Sequence, residues 1–149
     1  MIDTFGDNLL EGFKEEVPSH EGNQFKDFLC VLEGFKTKFK NLHWSAYSNS
    51  IHVRVDELID KISDYQDILA EEVQGIQGQL EPNFLKGTNF DFTCPHEAID
   101  NLISRTDTFY TKLPQSSNFA GVRSECEAFI TNLHKYRYLF ELCRKGTMD

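Results

Sequence analysis

Residues 51–76 read IHVRVDELIDKISDYQDILAEEVQGI, a stretch in which apolar side chains recur every three or four positions. This spacing places the apolar side chains on one stripe of an α-helix. The stripe consists of Ile51, Val55, Leu58, Ile62, Tyr65, Leu69, Val73 and Ile76. The stretch therefore predicts a long amphipathic helix that buries one face against other helices.

Three further segments have the same periodicity. They run from about Asn23 to Tyr47, from Pro95 to Pro114, and from about Asn118 to Arg144. Together with the first stretch they predict an all-α fold, a four-helix bundle with a long connection between helices 2 and 3. No stretch alternates apolar and polar side chains as a β-strand would. Residues 1–149 are expected to form this bundle as a single domain.

Glycine and proline residues interrupt the helical pattern between helices 2 and 3, over roughly fifteen to twenty residues. A connection of this length usually contains a short helix or performs a function. Its aromatic residues Phe84, Phe90 and Phe92 are expected to pack onto the bundle. Before the first helix, residues 1–20 have a weaker amphipathic pattern, so we expect a short docking helix or a tail there.

The charge of the chain excludes some classes of partner. Its 149 residues include 15 Lys and Arg against 24 Asp and Glu, a net charge of -9. Nonspecific nucleic-acid binding depends on neutralising phosphates with Lys and Arg, so this balance argues against it. No apolar run approaches the ~20 residues that a membrane span needs. The first residues are acidic where a signal peptide is basic, which favours a cytoplasmic protein.

The four cysteines point the same way. They are widely separated and include no Cys-x-x-Cys pair; they are Cys30, Cys94, Cys126 and Cys143. In a reducing compartment such residues are usually small buried hydrophobic side chains. We therefore expect neither a thiolate metal site nor a disulfide.

The second predicted helix has an acidic face opposite its apolar stripe. At ~100° per residue, its members fall within an arc of about 120°. They are His52, Asp56, Asp60, Asp64, Asp67 and Glu71. One interpretation is that this face is simply the solvated side of an amphipathic helix, with Arg54 and Lys61 offsetting part of its negative charge. The other is a set of metal ligands, because imidazole with carboxylates suits iron, manganese or zinc.

Spacing constrains the second interpretation. His52 and Asp56 are four residues apart, as are Asp67 and Glu71, so each pair presents two ligands on one face. His43 lies across a short turn from His52 and could join it and Asp56 in one cluster. His52 and Glu71 are ~28 Å apart along a helix axis, too far for one ion in one chain. A second copy packed antiparallel about a twofold axis near Ile62 would bring the pairs together, twice by symmetry.

The segment from Leu42 to Glu71, LHWSAYSNSIHVRVDELIDKISDYQDILAE, resembles the ferroxidase signature of the Dps (DNA-binding protein from starved cells) miniferritins. That signature has a His-Trp pair ending the first helix and a His followed four residues later by an acid. An Asp fifteen residues after that His and a Glu four further on complete it. The matching residues here are His43, Trp44, His52, Asp56, Asp67 and Glu71.

The resemblance implies a ferritin-like bundle with catalytic iron sites between two subunits. His43, His52 and Asp56 would come from one chain, and Asp67 and Glu71 from the other. Asp56 and Glu71 would be the principal carboxylate ligands. Such a protein oxidises Fe(II), with hydrogen peroxide as the expected oxidant, and stores the ferric product if its dimers assemble into a dodecameric cage. Zinc or manganese are alternative metals for this ligand set.

Some features depart from the family and motivate an alternative. The turn between His43 and His52 is about three residues shorter than usual and lacks the common Gly-Pro, and the third helix matches poorly. The alternative is therefore a non-catalytic ferritin-like bundle that serves as a structural or protein-binding module. The N-terminal segment carries acids such as Asp3 and Glu15 where DNA-binding members carry lysines, so DNA binding is not expected.

Overall fold

A computed structural model of the chain describes residues 17–144, with side chains from residue 24 onward. Its regular elements are all helical, and this part of the chain contains no β-strand. The helices are α1 (Val17–Trp44), α2 (Asn49–Gln77), α3 (Pro95–Thr111) and α4 (Ala120–Arg144), with a 3₁₀ turn at Ser117–Phe119 before α4. The predicted all-α, four-helix architecture is confirmed. Of the predicted docking helix or tail, residues 1–16 lie outside the described residues, and 17–20 belong to α1.

The first two helices form an antiparallel hairpin with a four-residue turn. Ser48 caps α2, because its hydroxyl accepts a hydrogen bond from the Ile51 amide at 3.3 Å. Farther along, the buried amide of Gln66 donates to the Leu29 carbonyl at 3.2 Å and to the Glu33 carboxylate at 3.1 Å. Its oxygen accepts from Lys36 at 2.9 Å. These contacts set the register of α1 against α2, since any slip would leave a buried amide without partners.

The connection between α2 and α3 is extended, contains no helix and runs parallel to α1. Near its start, Glu81 pairs with Lys26 at 2.9 Å. Farther on, Thr88 donates its amide hydrogen to the Cys30 carbonyl at 3.1 Å. Gly34 permits this approach, because a Cβ there would lie 2.2 Å from the Thr88 oxygen. Phe84, Phe90 and Phe92 pack against the core, as predicted.

The last two helices complete the bundle. Pro95 occupies the first turn of α3, where its missing N–H costs nothing. The helix runs antiparallel to α1. Near its end, Phe109 stacks on Phe28 of α1 with ring centroids 4.1 Å apart. Helix α4 packs on both α2 and α3, for example through Phe129 on Tyr65 at 4.2 Å. Helices α1 and α4 therefore point one way, and α2 and α3 the other.

The core contains the apolar stripe that the sequence predicted for α2. Every member from Ile51 to Val73 is buried, and Ile76 at the end is partly buried against the core. Each fully buried aliphatic side chain contributes roughly 1.5–3 kcal/mol relative to an exposed one. Because the stripe is inside, the opposite face of α2 is left at the surface. None of the helices within residues 17–144 is long and apolar enough to cross a membrane.

Candidate metal centre

The short turn between α1 and α2 brings two histidines face to face. His43 lies in the last turn of α1 and His52 in the first turns of α2. Their rings are stacked, with centroids 3.8 Å apart and planes inclined by 14°. The sequence indicated that the hairpin could bring these imidazoles together, and the structure places them in contact.

Each of these imidazoles is held by the backbone of the other residue. His43 Nδ1 lies 2.8 Å from the His52 carbonyl oxygen, and His52 Nδ1 lies 2.8 Å from the His43 carbonyl oxygen. A carbonyl oxygen only accepts hydrogen bonds, so both Nδ1 atoms carry the hydrogen and donate it. In the neutral rings both Nε2 atoms then have a free lone pair. Metal-binding histidines are oriented in this way, with the second ring nitrogen donating to a carbonyl or carboxylate.

Asp56 lies one helical turn after His52, beside the Nε2 edge of the pair. Its carboxylate oxygen Oδ1 is 4.0 Å from His43 Nε2, too far for a hydrogen bond. The Asp56 side chain is 59% exposed, whereas that of His43 is only 14% exposed. His43, His52 and Asp56, which we call the histidine half-site, thus present two fixed imidazoles and one adjustable carboxylate at the surface.

The other two predicted ligands, Asp67 and Glu71, form a separate carboxylate half-site. Both side chains are exposed, and neither is hydrogen-bonded or ion-paired to another residue of the described chain. The eleven residues from Asp56 to Asp67 correspond to ~16 Å along the axis of α2. The two half-sites are therefore apart in one chain. Within residues 17–144, no group of three or more His, Cys, Asp or Glu side chains is placed to hold a metal ion.

A groove that the sequence did not predict lies between the second half of α1 and Ile59 of α2. It has a volume of about 360 Å³. Its lining is Glu33, Lys36, Thr37, Lys40, Asn41, Trp44 and Ile59. Trp44 is 70% exposed, although it is a large aromatic residue next to His43.

A second polar cluster that the sequence did not predict lies behind the carboxylate half-site, between α2 and α4. Burial raises the pKa of the Cys126 thiol to about 11, and it also raises the pKa of the Tyr65 hydroxyl. Burial and then the charge of Glu125 raise the pKa of Glu72. The Tyr65 hydroxyl and one Glu72 oxygen are buried without a hydrogen-bond partner in the described chain. Only tertiary packing reveals this cluster, since its residues come from two helices.

Comparisons with family models, with curated proteins and with solved structures found no match. The fold and the two half-sites therefore define the protein only as an all-α helical bundle.

Proposed function

We propose that this protein is a Dps-like miniferritin that binds Fe(II) at two sites shared between the subunits of a twofold dimer and oxidises it with hydrogen peroxide. The ferric product is stored where dimers assemble into a cage. The observation that carries the proposal is the reciprocal bonding of His43 and His52, which leaves both Nε2 atoms free, that of His43 lying 4.0 Å from Asp56 Oδ1.

The arrangement of the half-sites along α2 supports the twofold dimer. The midpoint between His52 and Glu71 falls between residues 61 and 62, and so does the midpoint between Asp56 and Asp67. A twofold axis perpendicular to α2 at that point would bring each histidine half-site opposite the carboxylate half-site of the partner. The three carboxylates Asp56, Asp67 and Glu71 are exposed on α2, where a second copy can reach them. The dimer would contain two identical sites.

The connectivity of the bundle supports the same class. Two helical hairpins, α1–α2 and α3–α4, are joined by one long crossover that contacts α1 from Lys26 to Phe35. A single long crossover is the connectivity of ferritin-like four-helix bundles, whereas up-down-up-down bundles use short loops throughout. The relative directions of the four helices agree with this connectivity.

The ligand set suits iron as a substrate. Two imidazoles and a carboxylate from one chain would hold Fe(II), and Glu71 with Asp67 would close the shell from the other. Carboxylate oxygens favour the harder Fe(III), so the product is stabilised relative to the reactant. Two Fe(II) ions supply the two electrons that reduce one hydrogen peroxide to water. Zinc and manganese also accept this ligand set and would compete for it.

Mixing two inactive variants tests the shared site. In a heterodimer of His52→Ala and Glu71→Ala chains, one site carries both changes and the other carries none. We expect each homodimer to be inactive and the heterodimer, isolated through two different affinity tags, to recover about half of the wild-type rate. The measurement is the rise in ferric absorbance after Fe(II) and peroxide are added. The double variant Asp56→Ala, Glu71→Ala should show no rise.

The matched control is a heterodimer of one His52→Ala chain and one Asp56→Ala chain. Both changes lie in the histidine half-site, so both sites of that heterodimer contain one altered residue and no activity should return. Recovery in neither mixture, or equal recovery in both, would contradict a site shared between subunits. Full activity in His52→Ala alone would contradict the histidine half-site.

One observation favours the alternative function, a ferritin-like bundle that serves as a structural or protein-binding module. Asp67 lies ~16 Å from Asp56 along α2, so the five proposed ligands are not assembled within the described part of a single chain. Metal analysis of protein purified without chelator, combined with its mass in solution, separates the two functions. A metal-free monomer supports the module, and an iron-containing dimer or dodecamer supports the miniferritin.

A further inference from the structure

We infer that Cys94 and His96 form a second reactive site, a nucleophilic thiol with its own base, which hydrogen peroxide oxidises to a sulfenic acid. The site lies at the start of α3, at the same end of the bundle as the histidine half-site but on other helices. It does not depend on the proposed iron chemistry.

The geometry of the pair carries this inference. Cys94 Sγ lies 3.5 Å from His96 Nδ1, within hydrogen-bonding range for sulfur. On the opposite side of the ring, His96 Nε2 lies 3.0 Å from the Phe140 carbonyl oxygen. That carbonyl oxygen can only accept a hydrogen bond, so Nε2 carries the hydrogen. In the neutral ring, Nδ1 then has its lone pair directed at the thiol and can take its proton.

This arrangement contains the parts of an activated nucleophile. Such a site has a nucleophile, a base within hydrogen-bonding reach, and a third group that orients the base. Here they are the Cys94 thiol, His96 Nδ1 and the Phe140 carbonyl. The His96 and Phe140 rings also pack in a T-shaped arrangement, with centroids 6.1 Å apart, so the histidine is held at two points. Phe140 is fully buried, which makes the orienting group rigid.

The other cysteines differ from Cys94 in ways that make them internal controls. Cys30 is half-buried like Cys94, but its thiol donates to the Phe84 carbonyl at 3.6 Å, an acceptor that cannot remove a proton. Cys126 and Cys143 are buried in the core. Cys94 is therefore the cysteine that combines partial exposure with a neighbouring base.

The reaction with peroxide balances without a further reactant. The Cys94 thiol gives its proton to His96 Nδ1, and the thiolate sulfur attacks one oxygen of hydrogen peroxide. The S–O bond forms as the O–O bond breaks, and sulfur loses two electrons to the departing oxygen. That oxygen leaves as hydroxide, takes the proton back from His96 and becomes water. Cys94 is left as a sulfenic acid, which a second thiol can reduce.

The first test compares alkylation rates of the four cysteines in the native protein. Trypsin places each cysteine in a separate peptide, so one iodoacetamide time course followed by mass spectrometry measures all four. At neutral pH, we expect Cys94 to react roughly tenfold faster than Cys30. The thiolate is the reacting form, and only Cys94 has a neighbouring base that can take the thiol proton. In denaturant the four rates should become similar. Equal native rates for Cys94 and Cys30 would overturn the inference.

The variant His96→Gln tests whether the base is responsible. Glutamine can still donate to the Phe140 carbonyl but cannot take the proton, so the Cys94 rate should fall close to that of Cys30. The exposed histidine of α4, in the variant His134→Gln, is the control and should change nothing. An unchanged Cys94 rate in folded His96→Gln would overturn the role of the base. If that variant does not fold, the wild-type ratio of Cys94 to Cys30 decides the question.

The oxidation itself is tested with peroxide and dimedone, a reagent that traps sulfenic acids. The experiment uses protein with a chelator present, so that iron does not contribute. We expect one adduct, on Cys94, which disappears in Cys94→Ser. An adduct on Cys30 of equal yield, or no adduct, would contradict the sulfenic acid. Because no iron is present, failure here is independent of failure of the iron site.

Discussion

The two ends of the acidic face of α2 differ in how firmly their side chains are held. At the first end, His43 and His52 each donate a hydrogen bond to the backbone of the other. At the second end, Asp67 and Glu71 are exposed and have no polar partner within the described chain. An imidazole binds a metal only through a nitrogen without hydrogen, so its tautomer must be set in advance. A carboxylate accepts through either oxygen and needs no such preparation.

The residues behind the two ends differ as well. Next to Asp56, the carboxylate of Glu57 is paired with Arg54 at 3.1 Å and accepts a hydrogen bond from Tyr136 at 3.3 Å. Next to Glu71, Glu72 has a buried oxygen without a partner and faces the charge of Glu125. The second end of α2 therefore carries negative charge that is not neutralised locally. Such a concentration of charge attracts cations to that surface.

The largest expected effect tests whether the two ends belong to one cooperative unit. Ile62, at the midpoint of α2, is fully buried, and Ile62→Ala should lower the free energy of unfolding by about 2–5 kcal/mol through lost contacts and a cavity. Ile68→Ala, at an isoleucine of the same helix that is 39% exposed, should cost less than about 1 kcal/mol. Chemical denaturation monitored by circular dichroism gives both values. Two separate transitions would show that the ends unfold independently.

A smaller effect should separate the two ends directly. His52→Ala removes one of the two reciprocal hydrogen bonds and the ring stacking, so it should lower the free energy of unfolding by about 1–2 kcal/mol. Asp67→Ala, at the other end, should change it by no more than about 0.5 kcal/mol. Both are measured by denaturation of metal-free protein. Equal losses would show that the second end is held as firmly as the first.

The smallest effect concerns the unneutralised acid at the second end. The pKa of Glu72 is raised from its ordinary value of 4.5, so the folded state binds this proton more tightly than the unfolded state. Stability from Glu72 is therefore fully present below 4.5 and is lost as the pH rises through the folded-state pKa. Glu72→Gln cannot ionise, so its unfolding free energy should not show this loss and should exceed that of the wild type at neutral pH.

A second variant checks the cause of that pH dependence. Glu125→Gln removes the neighbouring charge but leaves Glu72 buried, so it should reduce the loss of stability only in part. The measurement is the free energy of unfolding between about pH 4 and about pH 8, a range that begins just below the ordinary carboxyl pKa and extends well above it. Parallel curves for the wild type and Glu72→Gln would contradict the raised pKa.

Much of the fold could be predicted, because helix periodicity is a local property. The apolar stripe of α2 and the packing of Phe84, Phe90 and Phe92 were predicted from their spacing and type. Helix α1 begins earlier than its stripe indicates, at Val17 where the pattern begins near Asn23. The extended path of the connection, which a close approach at Gly34 permits, depends on contacts with a distant helix and was not predictable.

The candidate site could be predicted only in part. The spacing identified His43, His52 and Asp56 as neighbours, but the reciprocal bonds depend on the exact geometry of a four-residue turn. The role of Cys94 was missed, because cysteines in a reducing compartment are usually small buried side chains, whereas Cys30 and Cys94 are half-buried. His96 is oriented by a carbonyl forty-four residues away. No local pattern contains that information.

By itself, the sequence determined which face of each helix is buried and which residues of α2 lie on the opposite face, because both follow from 3.6 residues per turn. Tertiary structure alone decided which atoms of those residues are free to react. The free Nε2 atoms of His43 and His52 and the basic Nδ1 of His96 each result from a hydrogen bond to a backbone carbonyl. Such bonds form only after separate helices have packed, and they, rather than residue type, select the reactive nitrogen of a histidine.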